Sequence, residues 1–179
     1  MSKYRKIIET PKGIVRLRRP EKADGPAVRD LIARCAPLDQ NSLYMNLIQC
    51  DHFADTCVLA ERGDDVLGWV SGHIPPGREE TIFVWQVAVD RRARGMGLGR
   101  HMLANLLERP ACSDATRLET TITRDNEGSW ALFRGFARRV GGSLAQRPHF
   151  EREAHFAGQH ATEHLVTIAL DAAERRKAA

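Results

Sequence analysis

The chain has 179 residues, 42% hydrophobic and 28% charged, with a net charge of +4. This is the mixture of a folded domain with its own core, and no stretch approaches the ~20 apolar residues of a membrane helix. The mild positive charge leaves open a nucleic-acid surface or a pocket for an anionic small molecule.

Residues 1–12 read as a loose, flexible arm, and the first eight have charge but no apolar core of signal-peptide length. Residues 14–18 alternate apolar and basic, as a half-buried strand does. Asp24 is placed to cap a helix with Pro26 near its start and Ala27, Val28, Leu31, Ile32 and Cys35 on one face. Pro37 ends it. Asn41 or Ser42 can cap a second helix with Leu43, Leu47 and Ile48 inward.

Residues 56–61 and 66–74 form a hairpin through the turn Gly63-Asp64-Asp65. Residues 82–89 are nearly all apolar, as expected of a central strand covered on both faces. After a glycine run, Leu98, Met102, Leu103, Leu106 and Leu107 make a helical stripe. Residues 116–123 are a β-branched strand, and residues 126–138 a helix carrying Trp130, Phe133 and Phe136. A weak strand at 143–147, a His- and Phe-rich loop and a closing strand at 165–170 complete the order.

The order β-α-α-β-β-β-α-β-α-β-β predicts an α/β (α+β) fold with a mixed sheet and helices on both faces. One domain is expected over residues 13–171, with a charged tail at 172–179. Cys35, Cys50, Cys57 and Cys112 form neither C-x-x-C pairs nor zinc spacings and sit among apolar residues. They read as reduced, buried thiols of a cytoplasmic protein.

The most informative segment runs from Val87 to Arg100. A buried strand leads into Arg94-Gly95-Met96-Gly97-Leu98-Gly99-Arg100, and a helix begins there. Glycines let several backbone N–H groups converge on one oxyanion, and a helix start adds partial positive charge. Arg94 and Arg100 add full charges, so the natural guest is a pyrophosphate. Glu119 stands near the spacing of the acid in a dinucleotide fold, but the glycines read G-x-G-x-G and a second β-α-β-α-β half is missing. No Gly-Lys-Ser/Thr follows, which excludes a Walker loop.

Arg94-x-x-Gly97-x-Gly99 resembles the pyrophosphate loop of the GCN5-related N-acetyltransferase (GNAT) family. Asn126-Glu-Gly-Ser129-Trp-Ala-Leu132-Phe133 resembles that family's N-x-x-A-x-x-L-Y segment. The resemblance implies a mostly antiparallel central sheet with a V-shaped cofactor cleft between the fourth and fifth expected strands. It implies acetyl-CoA as cosubstrate without a metal, bound by Val87, Ala88, Val89, Arg94, Gly95, Gly97, Gly99, Arg100, Asn126 and Phe133. It implies a homodimer as well.

Acetyl transfer to an amine needs the amine neutral, the thioester oxygen stabilised and the departing thiolate protonated. The family's usual proton donor is a tyrosine where this chain has Phe133, which cannot donate. Tyr4 and Tyr44 are the only tyrosines, and Tyr44 is the better placed candidate, with packing as its alternative. Glu163 is the candidate base. His160-Ala-Thr-Glu163-His164 also spells H-x-x-E-H, but a zinc site there needs a helix, and the following residues alternate like a strand.

Asp39-Gln-Asn41-Ser42-Leu-Tyr44 and Asp51-His52-Phe53-Ala54-Asp55-Thr56-Cys57 resemble the branch of this family that acetylates the 4-amino group of L-2,4-diaminobutyrate in ectoine (osmoprotectant) biosynthesis. On that resemblance Asp39, Tyr44, Trp85 and His164 bind a small diamino acid. Asp39 also suits a helix cap, and Trp85 strand packing. The competing readings are transfer to a polyamine, an aminoglycoside or a protein N-terminus, and a non-catalytic CoA-binding module. No recognition-helix or aromatic-platform pattern supports a nucleic-acid partner, and no membrane partner is expected.

Overall fold

A computed structural model of the chain describes residues 6–36 and 38–170. Tyr4, the expected helix stop at Pro37 and the charged tail lie outside the described residues. Residues up to His73 together with Gln86–Ser113 form one compact unit, and Ile74–Trp85 with the residues from Asp114 onward form a second. The hydrogen-bonded strand order is β1-β2-β3-β4-β5-β6-β8-β7, a mixed, mostly antiparallel sheet.

In the first unit, β1 (Lys6–Thr10) and β2 (Gly13–Arg18) make a tight hairpin. The expected arm is thus corrected: Lys6–Thr10 is a strand, missed because Ile8 is its only buried side chain. β3 (Val58–Arg62) and β4 (Asp65–His73) follow as the expected hairpin. Leu59 pairs with Trp69, and both enter a cluster with Val28, Leu31 and Ile32 of α1 (Gly25–Arg34). Neighbouring strand residues face opposite sides. Ala60 and Gly68 accordingly face α3 (Leu98–Leu107), where a Cβ on Gly68 would stand 2.8 Å from Met102 Sδ. Helices therefore cover both faces of this hairpin, as expected.

Two local expectations change. Asp24 precedes α1 but its carboxylate caps nothing there; it takes the Arg18 guanidinium at 2.7 and 2.8 Å and the Glu21 N–H at 2.6 Å. In α2 (Leu43–Asp51) Ser42 is the cap, accepting from Met45 N–H at 3.1 Å. Its inward residues are Asn46, Gln49 and Cys50, while Leu43 is exposed. Asn46 Nδ2 donates to Gln49 Oε1 at 3.1 Å, which satisfies one atom of each amide, while Asn46 Oδ1 and Gln49 Nε2 are buried without a partner among the described residues.

β5 (Thr81–Val89) alternates rather than being covered on both faces: Ile82, Val84, Gln86 and Ala88 are buried, whereas Phe83, Trp85, Val87 and Val89 keep exposure. In the second unit its first residues pair in parallel with β6 (Arg117–Thr123), from Thr81↔Arg117 to Phe83↔Glu119. After α4 (Glu127–Arg139) come β7 (Leu144–Phe150) and β8 (Glu163–Ala169). The expected His- and Phe-rich loop contains a short helix, α5 (Arg152–Phe156), where Phe150 meets His155 and Phe156 edge-on and Phe156 lies tilted against His160. All four cysteines are buried and free, and burial pushes Cys50 and Cys57 up to about 12.

Candidate functional site

The glycine run follows the 3-10 turn Arg91–Ala93 after β5 and leads into α3. Gly95 and Gly97 have φ of 80° and 69°, a region side chains rarely adopt. Gly97 is the N-cap of α3 and brings no side-chain acceptor of its own. The Arg100 guanidinium folds beside it, 3.2 Å from where a Gly97 Cβ would stand. Arg94 and Arg100 are exposed, whereas Gly99 is buried in the first helical turn. A helix start, two left-handed glycines and a guanidinium over one of them are a cradle for an oxyanion.

Sequence reasoning missed what holds this turn. Asp90, 5% exposed, caps the short 3-10 turn Arg91–Ala93 by accepting from Arg92 N–H. It also takes the Arg92 guanidinium and Arg34 Nε. The Arg92 hydrogen bond, above all, holds its carboxyl down at about 2. The signal was an aspartate directly after a buried strand and before a basic turn.

In the same unit Asp39 and Tyr44 are exposed, Tyr44 by 73%. Asp39 caps no helix through its side chain, since Ser42 fills that role. Buried Gln86 ties the segment to β5: its Nε2 donates to Asp39 O at 2.7 Å, and Asn41 Nδ2 donates to its Oε1 at 3.3 Å. A lone glutamine between Trp85 and Val87, in an otherwise apolar strand, was the overlooked clue. Val87 and Val89 are half-buried and Ala88 is buried.

In the second unit Trp85 is 45% exposed. Asn126 is the cap of α4, its Oδ1 accepting from Ser129 N–H at 3.0 Å, and Phe133 is buried in the core. Glu163 is half-buried at the start of β8, which is a strand and not the helix a zinc motif requires. His164, 5% exposed, accepts from Arg124 Nε at 3.2 Å through its Nε2. Among the described residues no three His, Cys, Asp or Glu side chains are grouped to hold a metal, and no helix is long and apolar enough to cross a membrane.

The chain matches the model of the acetyltransferase (GNAT) family over residues 25–136. It is 47% identical over 155 residues to the L-2,4-diaminobutyric acid acetyltransferase of Methylotuvimicrobium alcaliphilum, covering 87% of this chain and 90% of the relative. It is 44% identical over 167 residues to the protein of the same name from Vibrio cholerae, covering 93% and 96%. Among solved structures it is similar to the diaminobutyrate acetyltransferase of Paenibacillus lautus, in complex with its substrate L-2,4-diaminobutyric acid and coenzyme A. There the TM-score is 0.83 at 36% identity, covering 87% of this chain and 95% of that one.

Proposed function

Because the chain belongs to the GNAT acetyltransferase family, among its diaminobutyrate acetyltransferases, we propose that it moves acetyl from acetyl-CoA to the 4-amino group of L-2,4-diaminobutyrate. The observation that carries this reading is 47% identity to a named diaminobutyrate acetyltransferase across nearly the full length of both chains. The product is N4-acetyl-L-2,4-diaminobutyrate, and the route it serves is ectoine synthesis.

The residues present fit acetyl-CoA, which when bound supplies its acetyl group as a thioester. The turn from Arg94 through Gly95, Gly97 and Gly99 to Arg100 holds the pyrophosphate, as its two left-handed glycines and the Arg100 guanidinium support. Val87, Ala88 and Val89 offer backbone groups to the pantetheine arm and an N–H to the carbonyl oxygen as charge grows on it. Asn126 and Phe133 shape the cofactor side of α4.

Glu163 takes the proton from the incoming ammonium, directly or through water. Tyr44 is the candidate proton donor to the thiolate, since buried Phe133 has no proton to give. Asp39 suits the substrate's α-ammonium or the incoming amine, Trp85 and Tyr44 are the residues for its short carbon chain, and His164 completes the substrate-binding set. The protein works as a homodimer in the cytoplasm; four buried free thiols support a reducing compartment.

The test is thiol release by purified protein with acetyl-CoA and diaminobutyrate, the acetylated nitrogen mapped by NMR. Acetyl on N4 is expected. Faster turnover on spermidine, or acetyl on N2, would overturn the reading.

A further inference from the structure

The second unit holds a cavity of about 670 Å3 whose lining includes Arg124, Arg134, Arg147, His164, Glu127 and Trp130. Of the residues given roles above only His164 lines it; none of the glycine-turn residues does. Three guanidinium groups and a single carboxylate share the space.

Exposed arginines alone would mean only a solvated face. Here two of them are held by ring groups and not by carboxylates. Arg124 Nε donates to His164 Nε2 at 3.2 Å. His164 is itself 95% buried, counting from its 5% exposure, and so cannot swing away. Arg134 lies over the Trp130 ring, its Cζ 5.0 Å from the centroid. Among the described residues none of the three arginines has a carboxylate partner within ion-pair distance. The charges of Arg124 and Arg134 are therefore positioned but not cancelled, Arg147 adds a third, and guanidinium forks match carboxylate and phosphate oxygens.

We propose that this cavity binds a small, multiply charged anion of carboxylate or phosphate chemistry. Such a guest supplies the counter-charge that the fold omits, and the pinned arginines lose little freedom on binding it.

The test is calorimetric titration of the full-length protein with citrate and, separately, inorganic phosphate. Saturating coenzyme A is present, so that neither probe registers at the glycine turn. Saturable binding of one equivalent of either probe is expected, fading as NaCl rises. Binding of citrate alone assigns the carboxylate class, and of phosphate alone the phosphate class. Arg134→Gln and Arg147→Gln should each weaken binding about tenfold, with coenzyme A affinity and basal turnover unchanged. Glu127→Gln, which removes the cavity's carboxylate, should tighten it several-fold; this variant decides the matter if the arginine variants fail to fold. No saturable binding of either probe, wild-type binding by the double arginine variant, or no tightening in Glu127→Gln would overturn the proposal. So would a double variant that changes oligomeric mass while binding the probes as wild type does.

Discussion

Asp90 grips Arg92 at two points: Oδ1 accepts from the backbone N–H at 2.9 Å and from Nε at 3.1 Å. One buried carboxylate thus shapes the turn that leads into Gly95 and Gly97. Asp90→Asn keeps the shape and removes the charge. It should raise the KM for acetyl-CoA about tenfold and lower stability at neutral pH. Because the folded carboxyl is depressed to about 2, its contribution is complete above the ordinary aspartate range near ~3.9 and is lost as pH falls through about 2. Urea unfolding should separate wild type from variant at pH 7 and bring them together near pH 2.

Gly97→Trp puts a side chain on a backbone with φ of 69° and drives it into the Arg100 guanidinium. Coenzyme A binding should drop at least a hundredfold, measured by calorimetry, since both the N–H convergence and the space are lost. Folding, followed by circular dichroism, should persist, because the turn is half exposed.

Gln86→Leu removes the tether at 2.7 Å to the Asp39 carbonyl while filling the same buried space. The KM for diaminobutyrate should rise about tenfold, with the KM for acetyl-CoA within about twofold, a split that general destabilisation would not produce. Steady-state kinetics in each substrate separate the two outcomes.

Glu163→Gln should slow turnover by about a hundredfold at neutral pH, the size of a lost general base. The deficit should narrow as pH rises toward the amine's own pKa near ~10.4, where solvent delivers enough neutral amine. Coenzyme A affinity should stay unchanged. An equal deficit at all pH values would remove Glu163 from proton transfer.

The helical stripes of α1 and α3 were legible because Val28, Leu31 and Ile32, and Met102, Leu103 and Leu106, repeat at helical spacing. β1 escaped notice because a short edge strand with one buried isoleucine has no such pattern. In α2 the expectation fails at Leu43, which is exposed, and overlooks buried Asn46 and Gln49, whereas Leu47 packs on Gly25 of α1. For the site, Arg94 and the glycines announced themselves, while Asp90 and Gln86 did not: their importance lies in partners, not in type.

Local chemistry was readable from the chain alone. Glycine suits the left-handed backbone at positions 95 and 97 better than any residue with a side chain, and Phe133 can hold no proton for transfer. What waited for the tertiary structure was every property set by neighbours distant in sequence. Arg34 comes to Asp90, Gln86 to Asp39 and Arg124 to His164 only when strands and loops are brought together. Hydrogen bonding and burial at those places decide protonation and orientation, and neither is written in the order of residues.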